Sequence, residues 1–285
     1  MQLNDTINNA GVQTFLTGDL DAAEKKFREA VKADARDSSA YNNLAFVLQQ
    51  KGKLSEAEKT ARKSLKINAE SSSAWLNLGN ILVQEGKGEE GVACISKAIE
   101  HNLQNVFAWE SLATVAMLQQ DFQAAEQCWE KALALKPDQV KYWIQLALVK
   151  TGLKKANEAV ACLHRAIEHD ANNAFAWSQL GIMELMRQNF GVAEKAFFRA
   201  LAIAPDDEAS RYHLALVYLS QQNIEKAKKE FDRILLINPH NVKVITERGL
   251  LELADGNDEK AKCFFASVLK ISPNDLRAKK YLEKI

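Results

Sequence analysis

The segment AWLNLGN, from Ala74 to Asn80, is followed 102 residues later by AWSQLGI, from Ala176 to Ile182. That distance is three times 34, and four tryptophans, at positions 75, 109, 143 and 177, lie 34 residues apart. A fixed period of this length is typical of repeat proteins, in which one small supersecondary unit is copied along the chain. The sequence therefore predicts an array of similar units rather than a single compact core.

Eight units of 34 residues fit the sequence without an insertion. Unit positions 8 and 20 are Gly or Ala throughout, position 28 is always aliphatic, and position 7 is Leu except for Ala10 and Arg248. Positions 4, 7, 8 and 11 share one face of a first helix, and positions 20, 24, 27 and 28 share one face of a second. Small residues at positions 8 and 20 let the two helices approach closely. The units are residues 4–37, 38–71, 72–105, 106–139, 140–173, 174–207, 208–241 and 242–275.

Two further columns predict where the helices end. Position 15 or 16 carries the turn inside a unit, with glycine at residues 18, 52, 86 and 256. The chain has four prolines, at residues 137, 205, 239 and 273, and all of them lie at position 32. We expect them to end the second helix, because proline cannot continue it, and we expect the Asp, His or Asn that follows each one to cap the next helix.

The column pattern resembles the tetratricopeptide repeat family: Trp, Leu-Gly and Tyr in the first helix, then Ala, Phe, Ala and Pro. The resemblance covers residues 4–275. It implies an all-α fold, a right-handed α-solenoid or superhelix of eight helix-turn-helix units. Residues 276–285 are expected to form a capping helix, which makes residues 1–285 a single domain. Such a resemblance is specific for the fold and unspecific for the function.

The composition excludes some partners. Lys plus Arg and Asp plus Glu number 37 each, so the chain gives no electrostatic reason to expect nucleic acid or an anionic membrane. The first residues lack the basic and apolar regions of a signal peptide, and no run of about 18 apolar residues suggests a transmembrane helix. We therefore expect a soluble cytoplasmic protein that neither binds nucleic acid nor inserts into a membrane.

Motifs for catalysis or metal binding are missing from the sequence. HExxH, CxxC, GxxxxGK[ST], GxGxxG and GxSxG segments do not occur. Cys94, Cys128 and Cys162 recur at position 23, but equivalent helices lie about 8–10 Å apart, whereas a disulfide needs Cα atoms within about 7 Å. We predict free thiols, no metal, no cofactor and no enzymatic activity.

Polar amides recur on the predicted binding wall. In tetratricopeptide arrays the first helices line the concave face, so the resemblance and the helical phase place positions 2, 5, 6, 9, 12 and 13 there. Position 6 reads Asn9, Asn43 and Asn77 in the first three units. An amide offers both a donor and an acceptor, which matches the backbone of an extended peptide. The column is similar to the asparagine ladder in the repeat region of O-GlcNAc transferase, which grips extended peptides.

Large apolar residues share this predicted wall with the amides. Exposed apolar patches mark interfaces, so we expect a partner that brings apolar side chains, as an extended peptide or an amphipathic helix. An alternative is that the wall narrows and these residues pack on each other. Besides the three asparagines, the predicted binding residues are Asn80, Phe46, Phe107, Ile144, Leu148, Phe175, Gln179, Ile182, Tyr212 and His213.

The sequence thus predicts a non-catalytic scaffold or adaptor that binds a peptide or helical segment of another protein in its concave groove. Two alternatives stay open. One is a self-assembling structural scaffold, in which the groove or an end unit accepts a second copy. The other is the targeting region of a larger enzyme.

Overall fold

The computed structural model of the protein describes residues 2–284, and side chains from residue 6 onward. Within residues 2–284 the regular secondary structure is entirely α-helical, which confirms the all-α class. The helices are α1 (Gln2–Leu16), α2 (Leu20–Ala33), α3 (Ser38–Gln50), α4 (Leu54–Ile67), α5 (Ser72–Gln84), α6 (Gly88–His101), α7 (Val106–Leu118), α8 (Phe122–Leu135), α9 (Val140–Gly152), α10 (Ala156–His169), α11 (Ala174–Met186), α12 (Phe190–Ile203), α13 (Glu208–Ser220), α14 (Ile224–Ile237), α15 (Val242–Ala254), α16 (Asp258–Ile271) and α17 (Leu276–Leu282).

Above the level of the 34-residue repeat, the chain forms two compact units, Met1–Leu153 with α1 to α9 and Lys154–Ile285 with α10 to α17. We call these the first unit and the second unit. Within each unit consecutive helices pack side by side as helix-turn-helix pairs. The predicted cap is present as α17, whose Tyr281 ring stacks on Phe265 at 5.0 Å between centroids. Ile285 lies outside the described residues.

The turn inside each helix pair depends on one residue with positive φ. At unit position 15, Gly18, Gly52, Gly86 and Gly256 have φ between 71° and 86°. Four units place a longer side chain there with φ near 60°: Gln120, Lys154, Gln188 and Gln222. The left-handed residue reverses the chain direction after a helix, and glycine adopts it at the lowest cost. The predicted turn position is therefore confirmed, although half of the units tolerate strain there.

The recurrent tryptophans hold the connection between one helix pair and the next. The indole Nε1 of Trp75, Trp109, Trp143 and Trp177 donates a hydrogen bond to the carbonyl oxygen six residues earlier, at 2.7 to 3.0 Å. That carbonyl belongs to unit position 32. Arg211 occupies the tryptophan position in a later repeat, and its Nη2 donates to the equivalent carbonyl of Pro205 at 2.6 Å. In these five repeats, a large side chain with an N–H group therefore ties the connection to the first helix of the pair.

The residue that caps the next helix lies two positions after the proline, whereas the sequence analysis expected it directly after the proline. Asp206 follows Pro205, but the N-cap of α13 is Asp207, whose side chain accepts from the N–H groups of residues 209 and 210. Asn241 and Asp275 cap α15 and α17 in the same way. The prediction that the residue directly after proline is the cap is wrong, because the capping side chain must immediately precede the first helical residue to reach the free N–H groups.

In each 34-residue repeat, the hydrophobic core lies between the two helices. All sixteen residues at unit positions 8 and 20 are buried, as their small size predicted. The residues at position 24, which are large except for Ala61, fill the space beside these contacts, and all of them are buried as well: Phe27, Ala61, Ile95, Trp129, Leu163, Phe197, Phe231 and Phe265. Burial of this apolar stripe is the main force that holds neighbouring helices together.

Arg248, one of the two exceptions in the leucine column at position 7, is buried in an ion-pair network. Its Nε donates to Asp232 Oδ1 at 2.6 Å, and its Nη1 donates to Glu252 Oε1 at 2.9 Å. Lys228 Nζ lies 3.2 Å from the same Glu252 oxygen, and Asn257 donates to the other at 2.9 Å. The buried carboxylate of Glu252 is tolerated because the hydrogen bonds and ion pairs from its partners offset the cost of removing it from water.

This network predicts an acid-sensitive contribution to stability. Burial alone would raise the pKa of Glu252, but hydrogen bonds from Arg248, Lys228 and Asn257 outweigh it and lower the pKa from 4.5 to about 2. The stabilising contribution of a carboxylate with a lowered pKa is present above its ordinary pKa and is lost as the pH falls through the folded-state value. We expect Glu252→Gln to be less stable than the wild type at neutral pH, and we expect this difference to shrink between pH 4.5 and about 2.

Urea unfolding of both proteins across this pH range, followed by circular dichroism, tests the prediction. Glu259→Gln is the matched control on the neighbouring helix, because the Glu259 side chain is 87% exposed. A stability difference for Glu252→Gln that stays constant across the range would contradict it.

Candidate functional site

The inner helices of the first unit enclose an open hollow of about 830 Å³, which we call the inner hollow. Helices α3, α5, α7 and α9 provide most of its walls. Its lining mixes amides, hydroxyls, aromatic rings and a few charges: Phe46, Gln49, Gln50, Ser73, Leu76, Asn77, Asn80, Val83, Asn105, Phe107, Glu110, Ser111, Thr114, Val115, Leu118, Lys136, Gln139, Lys141 and Tyr142. A concave surface with convergent polar groups and apolar rings is suited to binding a peptide or another ligand.

The asparagine column forms hydrogen bonds along the array. Asn43 Nδ2 donates to Asn8 Oδ1 at 3.0 Å, and Asn77 Nδ2 donates to Asn42 Oδ1 at 2.8 Å. These bonds join α1 to α3 and α3 to α5, so they fix the direction in which the amides point. Among the described residues, the Oδ1 atoms of Asn43 and Asn77 accept no hydrogen bond. Each amide therefore keeps an acceptor and one N–H for a ligand.

Phe107 is the most exposed aromatic side chain of the inner hollow. It is 59% exposed, at the first turn of α7. The ammonium group of Lys136 lies 5.1 Å from the ring centroid, within the range of a cation–π contact. Phe46, on α3, is half-buried and meets Phe15 edge-on with the ring centroids 5.4 Å apart. The hollow thus presents apolar surface beside the amides.

The charges of the inner hollow are partly neutralised by each other. Glu110 forms an ion pair with Lys141 and accepts a hydrogen bond from the Tyr142 hydroxyl at 2.9 Å. Burial raises the pKa of Tyr142, and the hydrogen bond to Glu110 raises it further, so the phenol remains a donor at neutral pH. Lys136 has no carboxylate partner among the described residues, which leaves one positive charge in excess.

In the second unit, the predicted binding residues lie on α11 and α13. Phe175 is 53% exposed, whereas Gln179 and Ile182 are half-buried. The Tyr212 ring has Lys243 Nζ 3.9 Å from its centroid, and the His213 ring stacks on Phe197 with centroids 5.9 Å apart. Phe175 therefore offers the largest apolar area among these five side chains.

The structure brings some predicted residues together and leaves others apart. Asn77, Asn80, Phe46 and Phe107 all line the inner hollow, while Asn43 contributes one repeat earlier and Asn9 is exposed on α1. Ile144 is only 5% exposed and Leu148 is half-buried. Sequence reasoning missed the charged and phenolic lining residues Glu110, Lys136, Lys141 and Tyr142, as well as the neutral polar ones: Gln49, Gln50, Ser73, Asn105, Ser111, Thr114 and Gln139. Glu110 and Lys141 stand in columns predicted to face the groove, so their charges could have been found there.

Other chemistry is sparse in the described part of the chain. No group of three or more His, Cys, Asp or Glu side chains there could hold a metal ion. None of the four cysteines forms a disulfide, and burial raises the pKa of the Cys128 thiol to about 11, which keeps it protonated and unreactive. Over residues 2–284, no helix has the length and apolar character needed to cross a membrane.

Comparison with known families identifies the repeat. Sequence models described as tetratricopeptide repeat match residues 17–73, 72–105, 106–139, 144–208 and 184–246. These matches cover most of the chain, so the protein belongs to the tetratricopeptide repeat family. A sequence search among curated proteins finds no significant match.

Solved structures share the fold at low sequence identity. PilW, a widely conserved type IV pilus biogenesis factor, matches with a TM-score of 0.62 and 20% identity over 74% of this chain and 98% of that chain. YrrB, a TPR protein with an unusual peptide-binding site, matches with a TM-score of 0.55 and 21% identity over 65% and 95%. A chain of the APC/C hetero-tetramer Cut9-Hcn1 matches with a TM-score of 0.58 and 17% identity over 93% of this chain and 52% of that chain, about half its length.

Proposed function

We propose that the protein is a non-catalytic scaffold that holds an extended segment of a partner protein in the inner hollow. The observation that carries the proposal is the juxtaposition of the amides of Asn77 and Asn80 with the exposed ring of Phe107 in the inner hollow, with the oriented amide of Asn43 one repeat earlier. Amides suit the partner's backbone, and the aromatic ring suits an apolar side chain. Concave inner surfaces are the usual binding faces of repeat arrays.

Hydrogen bonds from individual amides contribute about 0.5–1.5 kcal/mol each, so affinity must come from several repeats together. Fixing Asn43 and Asn77 through their bonds to Asn8 and Asn42 reduces the side-chain entropy that binding would otherwise cost. Phe107 adds apolar area that is already exposed in the free protein. Within the second unit, Phe175 would offer an apolar contact of the same kind.

The structural relatives support this class of function. One of them is described as having a peptide-binding site, and another is a chain of a hetero-tetramer. Since their identity to this chain is 17% and 21%, the kind of segment bound is proposed from the chemistry of the inner hollow.

The double substitution Asn43→Ala with Asn77→Ala is expected to weaken partner binding about tenfold or more without unfolding the array. The partner is found by affinity capture from the source cell lysate, read by mass spectrometry with wild type and variant side by side. Its bound segment is then made as a peptide, and the Kd is measured for each variant by calorimetry. Phe107→Ala tests the apolar contact, and its Kd for the same peptide, measured by calorimetry, is expected to be higher than that of the wild type.

Gln123→Ala with Gln127→Ala is the matched control, because it removes two exposed amides from the outer helix α8. Equal affinity for the wild type and the Asn43→Ala/Asn77→Ala variant would contradict the groove proposal, provided that both retain their helical circular dichroism. Capture of the bait alone, with a mass in solution that grows with concentration, would favour the self-assembling scaffold. An enzyme found on the same polypeptide would favour the targeting region.

A further inference from the structure

A second concave surface lies between the outer helices of the first unit. It has a volume of about 670 Å³ and is bounded by α2 and α4, with α3 contributing to its floor. We call it the basic furrow. It is lined by Arg28, Val31, Lys32, Tyr41, Leu44, Glu56, Lys59, Thr60, Arg62, Lys63 and Lys66. Six of these side chains are cationic and one is anionic, in a chain whose charges balance overall.

Most of the positive charge in the basic furrow is not neutralised by the protein. Glu56, the single acid of the lining, forms an ion pair with Arg28 at 2.7 Å, and Arg62 pairs with Glu58 at 2.9 Å. The remaining four cations have no carboxylate partner among the described residues: Lys32, Lys59, Lys63 and Lys66. All four are exposed. Three of them, on α4, follow the spacing that places residues on one helix face.

The positive charge is densest over two repeats. One repeat further along, on α6, the positions equivalent to Lys59, Lys63 and Lys66 are Ala93, Lys97 and Glu100, so one lysine of the three is kept and an acid replaces another. A nucleic acid needs cations that track a backbone over a long distance, whereas this surface ends after a single furrow. The charge therefore fits a short anionic segment better than a strand of nucleic acid.

The floor of the basic furrow is apolar. Val31 is half-buried beside Leu44, and the Tyr41 ring is half-buried with Lys63 Nζ 5.9 Å from its centroid. A ligand made only of charge, such as free phosphate, would leave this floor uncovered. A peptide in which acidic residues alternate with an apolar one would satisfy both the lysines and the floor.

We propose that the basic furrow docks a short acidic segment of another protein, with carboxylates paired to the lysines and an apolar side chain on Tyr41 and Val31. This surface lies on the outer helices, so it does not depend on the function proposed for the inner hollow. Two surfaces on one unit would let the scaffold hold two different segments at once. Charge attraction would chiefly speed the encounter and make binding sensitive to salt.

The test uses the full-length protein and a fluorescein-labelled peptide that repeats Glu-Glu-Leu, with binding measured by fluorescence anisotropy. The variant Lys59→Gln/Lys63→Gln/Lys66→Gln is expected to bind about tenfold more weakly, since three exposed ion pairs are lost. Glutamine has nearly the helix propensity of lysine, so α4 should remain folded, as circular dichroism can check. Added salt should weaken the binding of the wild type more than that of the variant.

The matched control is Lys131→Gln/Lys195→Gln/Lys229→Gln, which makes the same change of charge at exposed lysines outside the furrow. This control and Phe107→Ala in the inner hollow are expected to bind the peptide as the wild type does. Equal binding by the α4 variant and its control would overturn the proposal. So would a wild type that binds a thymidine oligonucleotide but not the acidic peptide, because the furrow would then be a nucleic-acid site.

Discussion

Phe197→Ala is expected to lower the free energy of unfolding of the second unit by about 3–5 kcal/mol. The Phe197 ring is fully buried, and it packs so closely over Gly181 that a Cβ added there would lie 2.7 Å from a ring atom. His213 stacks on the same ring. Truncation would leave a cavity between α11, α12 and α13 that the surrounding helices can close only by moving together.

Phe198→Ala is the matched control for this prediction. This substitution also removes a phenyl ring, but Phe198 is 48% exposed. We therefore expect the free energy of unfolding to change by less than about 1 kcal/mol. Urea unfolding followed by circular dichroism gives the two free energies, and hydrogen exchange over α11 to α14 localises the loss. Similar losses for the two substitutions would show that burial of Phe197 is not the cause.

Gly79→Leu is expected to destabilise the first unit by about 3 kcal/mol or more. A Cβ on Gly79 would lie 2.6 Å from Ile95 Cγ1 and 2.8 Å from the carbonyl oxygen of Gly91. The second contact is with backbone, so no side-chain rotation can relieve it. Helices α5 and α6 would have to separate, and the packing of their neighbours would be lost with them.

Gly88→Leu is the control for the second prediction, because a Cβ on this first residue of α6 meets no heavy atom within 4 Å. Its effect should stay below about 1 kcal/mol, since leucine is also the better helix former. Hydrogen exchange over α5 and α6 is the direct readout. Full protection of both helices in Gly79→Leu would contradict the steric argument.

The effects of Phe197→Ala and Gly79→Leu should be measured separately for each region of the chain. In repeat arrays each helix pair depends on its neighbours, and cooperativity can break down along the chain. A single midpoint could therefore hide a loss confined to α5 and α6 or to α11 to α14. Hydrogen exchange resolves these regions separately.

Much of the fold could be predicted from single columns of the sequence. Gly or Ala at positions 8 and 20 predicted the buried helix contacts, and the residues at position 15 predicted the turns that the structure confirms. Each of these is a local requirement, for space at positions 8 and 20 or for positive φ at position 15, that a few residue types satisfy. The repeat period strengthened these predictions, because the role of an ambiguous position in one repeat could be inferred from the equivalent positions in the other repeats.

The site was less predictable, because helical phase states where a side chain points but not what its neighbours cover. Phe107 and Ile144 both stand in columns assigned to the groove, yet one is 59% exposed and the other 5%. Columns also say little about residues in turns, which is why Lys136 beside Phe107 was missed.

The sequence by itself determined the helix pairs, their turns and the family of this protein. Only the tertiary structure decided which glycine pair lets two backbones touch, at Gly79 and Gly91, and which cations remain unpaired in the basic furrow. Those outcomes depend on distances between residues of different helices. A pattern along one chain gives the identity of such residues, whereas packing sets how far apart they lie.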